Sequence, residues 1–196
     1  MIQINQTESF AFEDILFSFA LESEAAEVFK GNNVLFTGIG KVNAAYELTK
    51  AIQKKKPTII INLGSAGSSC FQKGEVICCT KFVQRDMDVS PLGFAVGVTP
   101  MDDEIPAEIH AKPHFEILPK GICGTGDSFE TGIPKIICNI VDMEAYALAK
   151  VCQKLGVRLI SVKYISDGAN DTAHLDWEEN LLLGAQKLLA LYQAHF

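Results

Sequence analysis

Three carboxylates fall where they can do proton chemistry. Glu144 and Asp167 stand near the two ends of one unit, VDMEAYALAKVCQKLGVRLISVKYISDGAN, residues 141–170. Leu148, Val151, Cys152 and Leu155 repeat at helical spacing, so a helix is expected from Glu144, closed by Gly156. Val157 to Ile165 is apolar and rich in β-branched residues, a strand that delivers Ser166, Asp167 and Gly168 at its end. In an open α/β sheet ligands bind beyond the carboxyl ends of strands, which is where Asp167 is expected. The third acid, Glu24, follows the apolar run DILFSFA, residues 14–20, in the first turn of a short helix over 22–30. Taken singly, each acid is also an ordinary dipole partner or turn residue.

The elements that must bring these acids together alternate strand and helix. Asn33 to Phe36 reads as a strand running into TGIGK, residues 37–41, and Val42, Ala45, Leu48 and Ile52 as the apolar stripe of the next helix. GIGK lacks the spacing of a phosphate-binding loop. TIIINL, residues 58–63, is an apolar run of the kind buried mid-sheet, and it ends in Gly64-Ser65-Ala66-Gly67. Further strands are expected over 74–82, 121–126 and 136–141, and a last helix over 177–195. Residues 84–104 read as a long loop. Strand order and right-handed crossovers put Glu24, Ser65, Glu144 and Asp167 at one edge.

Composition removes several function classes. At 196 residues and 48% hydrophobic content, one domain with a full core is expected. A net charge of −7 argues against a nucleic-acid partner. No targeting segment or membrane span is read, so the protein is expected in the cytoplasm. The six cysteines form no CxxC pair and read as reduced core residues. Asp86, Asp88, Asp102 and Asp103 share the long loop, but nothing there enforces a cation geometry. No metal and no cofactor is expected.

VDMEAYALAKVC followed by VKYISDGAN, with TGIGK, GSAG and TGDSFE upstream, resembles the 5′-methylthioadenosine/S-adenosylhomocysteine nucleosidase branch of the nucleoside phosphorylase superfamily. The resemblance runs from Asp14 onward, leaving residues 1–13 as an extension and 14–196 as the catalytic domain. It implies a single-domain, three-layer α/β/α fold around a mixed, largely parallel twisted sheet. It also assigns roles. Asp167 protonates the leaving purine, a task that needs a protonated acid, which burial favours. Glu144 holds the sugar hydroxyls and Glu24 the attacking water, a division of labour like that of glycosidases. Leu21, Ile39, Ser65, Ala66, Gly67, Phe129, Glu130, Met143, Ser166 and Trp177 complete the implied substrate site.

The activity this implies is hydrolysis of the N-glycosidic bond of a purine nucleoside. The expected substrate is a 5′-substituted adenosine such as methylthioadenosine, S-adenosylhomocysteine or aminodeoxyfutalosine. Two alternatives are a phosphate-dependent phosphorylase and a nucleoside binder without turnover. A phosphorylase needs arginines for its dianion. The chain has only Arg85 and Arg158, both read as outside the site, with Asn62 and the acidic LESEA at the relevant positions. Two departures from the family stand out. About two strands are missing after the first helix, and Lys163 replaces an arginine beside the water. Val89, Leu92, Phe94, Val96 and Met101 in the long loop imply a homodimer whose partner closes the 5′ end of the pocket.

Overall fold

Strands β5 (Ile59–Gly67) and β10 (Arg158–Asp167) form the spine of the protein in a computed structural model. The structure describes all residues except 1, 6, 7, 11, 26–28, 30–32, 114, 133, 171, 172 and 196. The side chains of 2–5, 8–10, 12, 173–179, 181, 192, 194 and 195 are also outside the description. The two spine strands run parallel in continuous register from Arg158↔Ile59 to Ile165↔Ala66. Both are buried on both faces, which is why they read as apolar runs rather than alternating ones.

Around them the eight-stranded sheet is ordered β10-β6-β8-β9-β5-β3-β4, with β10 also paired to β5. The further strands are β3 (Ile15–Phe19), β4 (Val34–Phe36), β6 (Val76–Gln84), β8 (Lys120–Thr125) and β9 (Ile140–Asp142). The short β7 (Glu108–His110) pairs with β6 at the edge. Parallel pairing joins β3, β4, β5 and β10, and again β6, β8 and β9, while β10–β6 and β5–β9 are antiparallel. The β5–β9 contact is the single pair Gly67↔Val141, and it closes a ring of five strands. A separate hairpin of β1 (Ile2–Asn5) and β2 (Glu8–Phe10) lies off this sheet.

Helices cover both faces, giving the expected three layers. On one side α2 (Lys41–Lys55) packs on α3 (Ala145–Leu155) over Ile60, Cys79 and Phe82. On the other, α1 (Glu22–Ala25) and α4 (Ala173–His195) cover Ile59, Ile61, Val162 and Tyr164, with Phe17, Phe19 and Phe29 packed ring against ring. Fully burying such side chains is worth about 1.5–3 kcal/mol each.

Several expected elements differ. The strand expected over 136–141 is only Ile140–Asp142, and the hairpin and β7 were not expected. Helix α1 is described for Glu22–Ala25, and most of the remainder of the expected span 22–30 lies outside the described residues. In α2 the buried face is Ala44, Leu48, Ala51 and Ile52, while Val42 is 78% exposed, so the expected stripe was turned by about one residue. The last helix starts at Ala173, ahead of Trp177, whose side chain is outside the description. Cys70 is exposed and Cys138 half-buried, against the expectation of six core cysteines. All six are free, and burial pushes the Cys138 thiol up to about 11 and Cys152 up to about 12. Among the described residues no helix is long and apolar enough to cross a membrane.

Candidate active site

The ring of strands frames a cavity of about 180 Å³. Glu24, Glu144 and Asp167 all line it, and so do Leu21, Ile39, Ser65, Ala66, Gly67, Phe129, Glu130 and Met143. The acids come from three different strand ends, as the alternating order required.

Asp167 reaches the cavity through an irregularity. The β10–β5 register shifts between Ile165 and Asp167, so that Asp167 rather than Ser166 stands opposite Gly67. A bulge of this kind re-aims a side chain. Asp167 is 4% exposed, and its Oδ1 accepts the Ala169 N–H at 2.9 Å. A Cβ on residue 67 would meet Asp167 Oδ1 at 2.5 Å, so any larger residue there would displace the carboxylate. Ser166 is fully buried and does not line the cavity. Its hydroxyl donates to Asp167 Oδ2 at 2.8 Å and lies 3.3 Å from the Ala66 carbonyl, so it braces the acid instead of meeting a ligand.

Glu24 ties two strand ends together. Its Oε2 accepts the Ala20 and Leu21 N–H groups at 3.0 and 3.1 Å, just past β3. Its Oε1 accepts the Ser65 N–H at 2.9 Å and the Ser65 hydroxyl at 2.7 Å, at the end of β5. Four neutral donors thus hold one carboxylate.

Glu144 is held differently. It is the residue before α3, and its Oε1 accepts the Gly40 N–H at 2.8 Å from the start of α2. Gly40 has φ 93°, a conformation strained for any other residue, which explains the GIGK turn. Burial, followed by the neighbouring Asp142 charge, pushes the Glu144 carboxyl up to about 8, against the pull of Lys163 and the Gly40 N–H. Glu24 adds a smaller push in the same upward direction.

Asp142 and Lys163 were not expected in these roles. Lys163 is 2% exposed on β10, and its Nζ lies 2.9 Å from Asp142 Oδ2. Asp142 also accepts the Thr125 hydroxyl at 2.6 Å and the Ala145 N–H at 2.9 Å, which fixes the start of α3. Burial works against its charge, but Lys163 and the Thr125 hydroxyl hold the Asp142 carboxyl below the usual range. Burial likewise opposes the Lys163 charge, and Asp142 with the nearby acids raises its ammonium pKa. The residue expected beside the water is therefore committed to a buried ion pair. An isolated lysine within an apolar strand was the available signal, since buried lysines need partners.

Arg85 corrects the sequence reading more sharply, because it lines the cavity. Its Nη1 donates to Glu130 Oε2 at 2.8 Å and to the Ser128 hydroxyl at 3.1 Å, and its Nη2 to the Gly126 and Ser128 carbonyls. Its positive charge is spent on Glu130 and on the loop after β8. Asp86 and Asp127 both contact Lys41, Asp88 pairs with Lys135 and Asp102 with Lys150.

Comparison with known proteins settles the family. Residues 28–194 match the phosphorylase superfamily. The 5′-methylthioadenosine/S-adenosylhomocysteine nucleosidase of Marinomonas sp. is 32% identical, with 84% of this chain and 81% of that protein covered. The nucleosidase of Exiguobacterium sp. is 35% identical over 76% of this chain and 72% of its own. The chain belongs to this nucleosidase family. The fold agrees with that of the Helicobacter pylori nucleosidase holding 5′-methylthioadenosine, at TM-score 0.84 and 21% identity, covering 92% of this chain and 96% of that one. A structure described as a futalosine hydrolase mutant from Helicobacter pylori is equally similar, at TM-score 0.84 and 20% identity, covering 92% and 97%. As a member of the nucleosidase family the protein is an enzyme, and its cavity is the place to look for catalysis.

Proposed function

We propose that the protein hydrolyses the N-glycosidic bond of a 5′-substituted adenosine, with a 5′-thio substituent preferred, and releases adenine. The observation that carries this reading is one cavity lined by four buried carboxylates, of which Glu24, Glu144 and Asp167 have three different sets of partners. The 32–35% identical relatives are named as nucleosidases acting on 5′-methylthioadenosine and S-adenosylhomocysteine. Asp167 gives its proton to the base as the bond to the sugar breaks. Glu144 holds the sugar hydroxyls and Glu24 takes a proton from the water whose oxygen joins the anomeric carbon. Water rather than phosphate is the acceptor, because Arg85 is already occupied and Glu24 would repel a dianion.

The working unit in this reading is a homodimer. Val42 and Tyr46 on α2, Leu92 and Met101 in the long loop, and Ile39 and Phe129 at the cavity are all exposed. The Lys41–Asp86 contact draws the loop towards α2. A patch of this kind marks a contact, and symmetric dimers are the commonest way to cover one. The six free cysteines fit a reducing cytoplasm.

The test is base release from a panel of nucleosides: methylthioadenosine, S-adenosylhomocysteine, 5′-deoxyadenosine, aminodeoxyfutalosine, adenosine and inosine. Adenine should appear fastest from a 5′-substituted adenosine. Release from none of them would overturn the reading. Leu92→Asp, at a site 72% exposed, should weaken the dimer without unfolding the chain. A wild-type protein that sediments as a fully active monomer would contradict the dimer.

A further inference from the structure

A second cavity opens at the far end of the strand that carries Asp167. It measures about 530 Å³, larger than the first and in the range of small-molecule sites. Arg158 and Leu159 line it at the start of β10, and Arg158 stands about 30 Å of strand away from Asp167. The crossover between the parallel strands β6 and β8 accounts for it. Such a connection usually runs through an α-helix that covers the sheet. Among the described residues of 85–119 there is no α-helix, only a 3-10 turn at Ser90–Leu92 and the short β7. The segment is clamped to α3 through Asp102 with Lys150 and Glu104 with Lys154. Past that clamp the cover is β7, and the cavity lies between β7, the end of α3 and the start of β10.

Its floor and mouth differ in character. Phe82, Ile109, Ala149, Cys152 and Leu159 make a buried apolar floor. Glu108, His110 and Lys112 are exposed around the mouth, and Arg158 is half-buried. Glu108 is already paired, with Lys81 Nζ at 3.0 Å and His110 Nε2 at 3.1 Å. Two cations, Lys112 and Arg158, against one carboxylate leave an excess of one positive charge, with His110 counted as neutral, in a chain whose net charge is −7. The first cavity is the reverse, with five acids and one arginine. A helix C-terminus repels anions, but the Cys152 and Gln153 carbonyls at the end of α3 already accept the Val157 and Gly156 N–H groups. We propose that this cavity is a second ligand site, for a small organic carboxylate with an apolar body. The body lies over Phe82 and Leu159, and the carboxylate meets Lys112 and Arg158. A monoanion matches the single excess charge, whereas an inorganic dianion would leave charge unmatched and the floor uncovered. The inference stands apart from the nucleoside reading of the first cavity.

The experiment titrates the full chain calorimetrically with octanoate and, as the uncharged probe, with 1-octanol. Octanoate should bind one site per chain, at least about 10-fold more tightly than 1-octanol. Added salt should weaken octanoate binding and leave 1-octanol unaffected. Lys112→Glu, at an exposed position, should lower octanoate affinity about 5-fold or more and spare 1-octanol. Ala111→Trp, from a half-buried wall position, should fill the cavity and abolish binding of both probes. No binding of octanoate to the wild type, or 1-octanol binding as tightly as octanoate, overturns the inference. So does wild-type octanoate affinity in Lys112→Glu or in a folded Ala111→Trp, because the carboxylate then sits elsewhere.

Discussion

The two walls of the cavity hold their glutamates in opposite ways. On the β3–β5 wall, Glu24 is surrounded by neutral donors: three backbone N–H groups and the Ser65 hydroxyl. On the β9–β10 wall, Glu144 has one described donor, Gly40, and lies beside the buried Asp142–Lys163 pair. The first arrangement fixes a carboxylate in space and leaves its lone pairs shared among donors that cannot move. The second crowds charges together and makes one acid reluctant to ionise. Burial alone does not decide what a carboxylate does; the partners it meets there do.

Removing the acid that stands between the walls should have the largest effect. Asp167→Asn is expected to lower the rate of base release by about 10³-fold, within the range for general acid catalysis, while a non-cleavable analogue still binds. Isothermal titration alongside the assay checks both halves. On the neutral wall, Glu24→Gln should cost about 10²-fold or more. Its amide nitrogen would face donors on either side, so the link between β3 and β5 suffers with the chemistry. Near-wild-type turnover would mean that the donors merely lock a loop.

The charged wall is tested through stability. Lys163→Met leaves Asp142 charged and buried without its cation, at a cost of about 3–5 kcal/mol. Chemical denaturation should show this loss in full, and Lys163→Met with Asp142→Leu should recover much of it. The smallest expected effect depends on pH. Folding raises the Glu144 carboxyl from 4.5 to about 8. Between these values the folded chain keeps a proton that the unfolded chain has lost. Stability from this group is therefore fully present at acid pH and fades as pH rises towards 8. Glu144→Gln should remove that loss, so its melting temperature should gain on wild type between pH 5 and pH 8. A constant difference across that range would place the raised affinity for protons elsewhere.

What the sequence made legible follows the same division. Glu24, Glu144 and Asp167 could be found because each sits next to a local signal: an apolar run that stops, a helix that starts, a Ser-Asp-Gly turn. The bulge that turns Asp167 inward and Ser166 away from the cavity has no signature in composition or spacing, since register depends on the partner strand. Arg85 was misplaced because its partners, Ser128 and Glu130, lie more than 40 residues along the chain in another loop. The Asp142–Lys163 pair joins β9 to β10 across α3, beyond any periodicity. Val42 shows the opposite failure: its apolar character and spacing fit a core stripe, yet it faces outward beside Tyr46, where a second subunit is proposed.

The claim at the centre of this account is that water, managed by Glu24, is the acceptor in a cavity whose one arginine is already engaged. It is tested most directly by following the products of 5′-methylthioadenosine cleavage while phosphate is varied from none to saturating. The account predicts free adenine and the free 5-methylthio sugar in equal amounts, at a rate that does not change with phosphate. A rate that rises saturably with phosphate, with a sugar 1-phosphate as product, would contradict it.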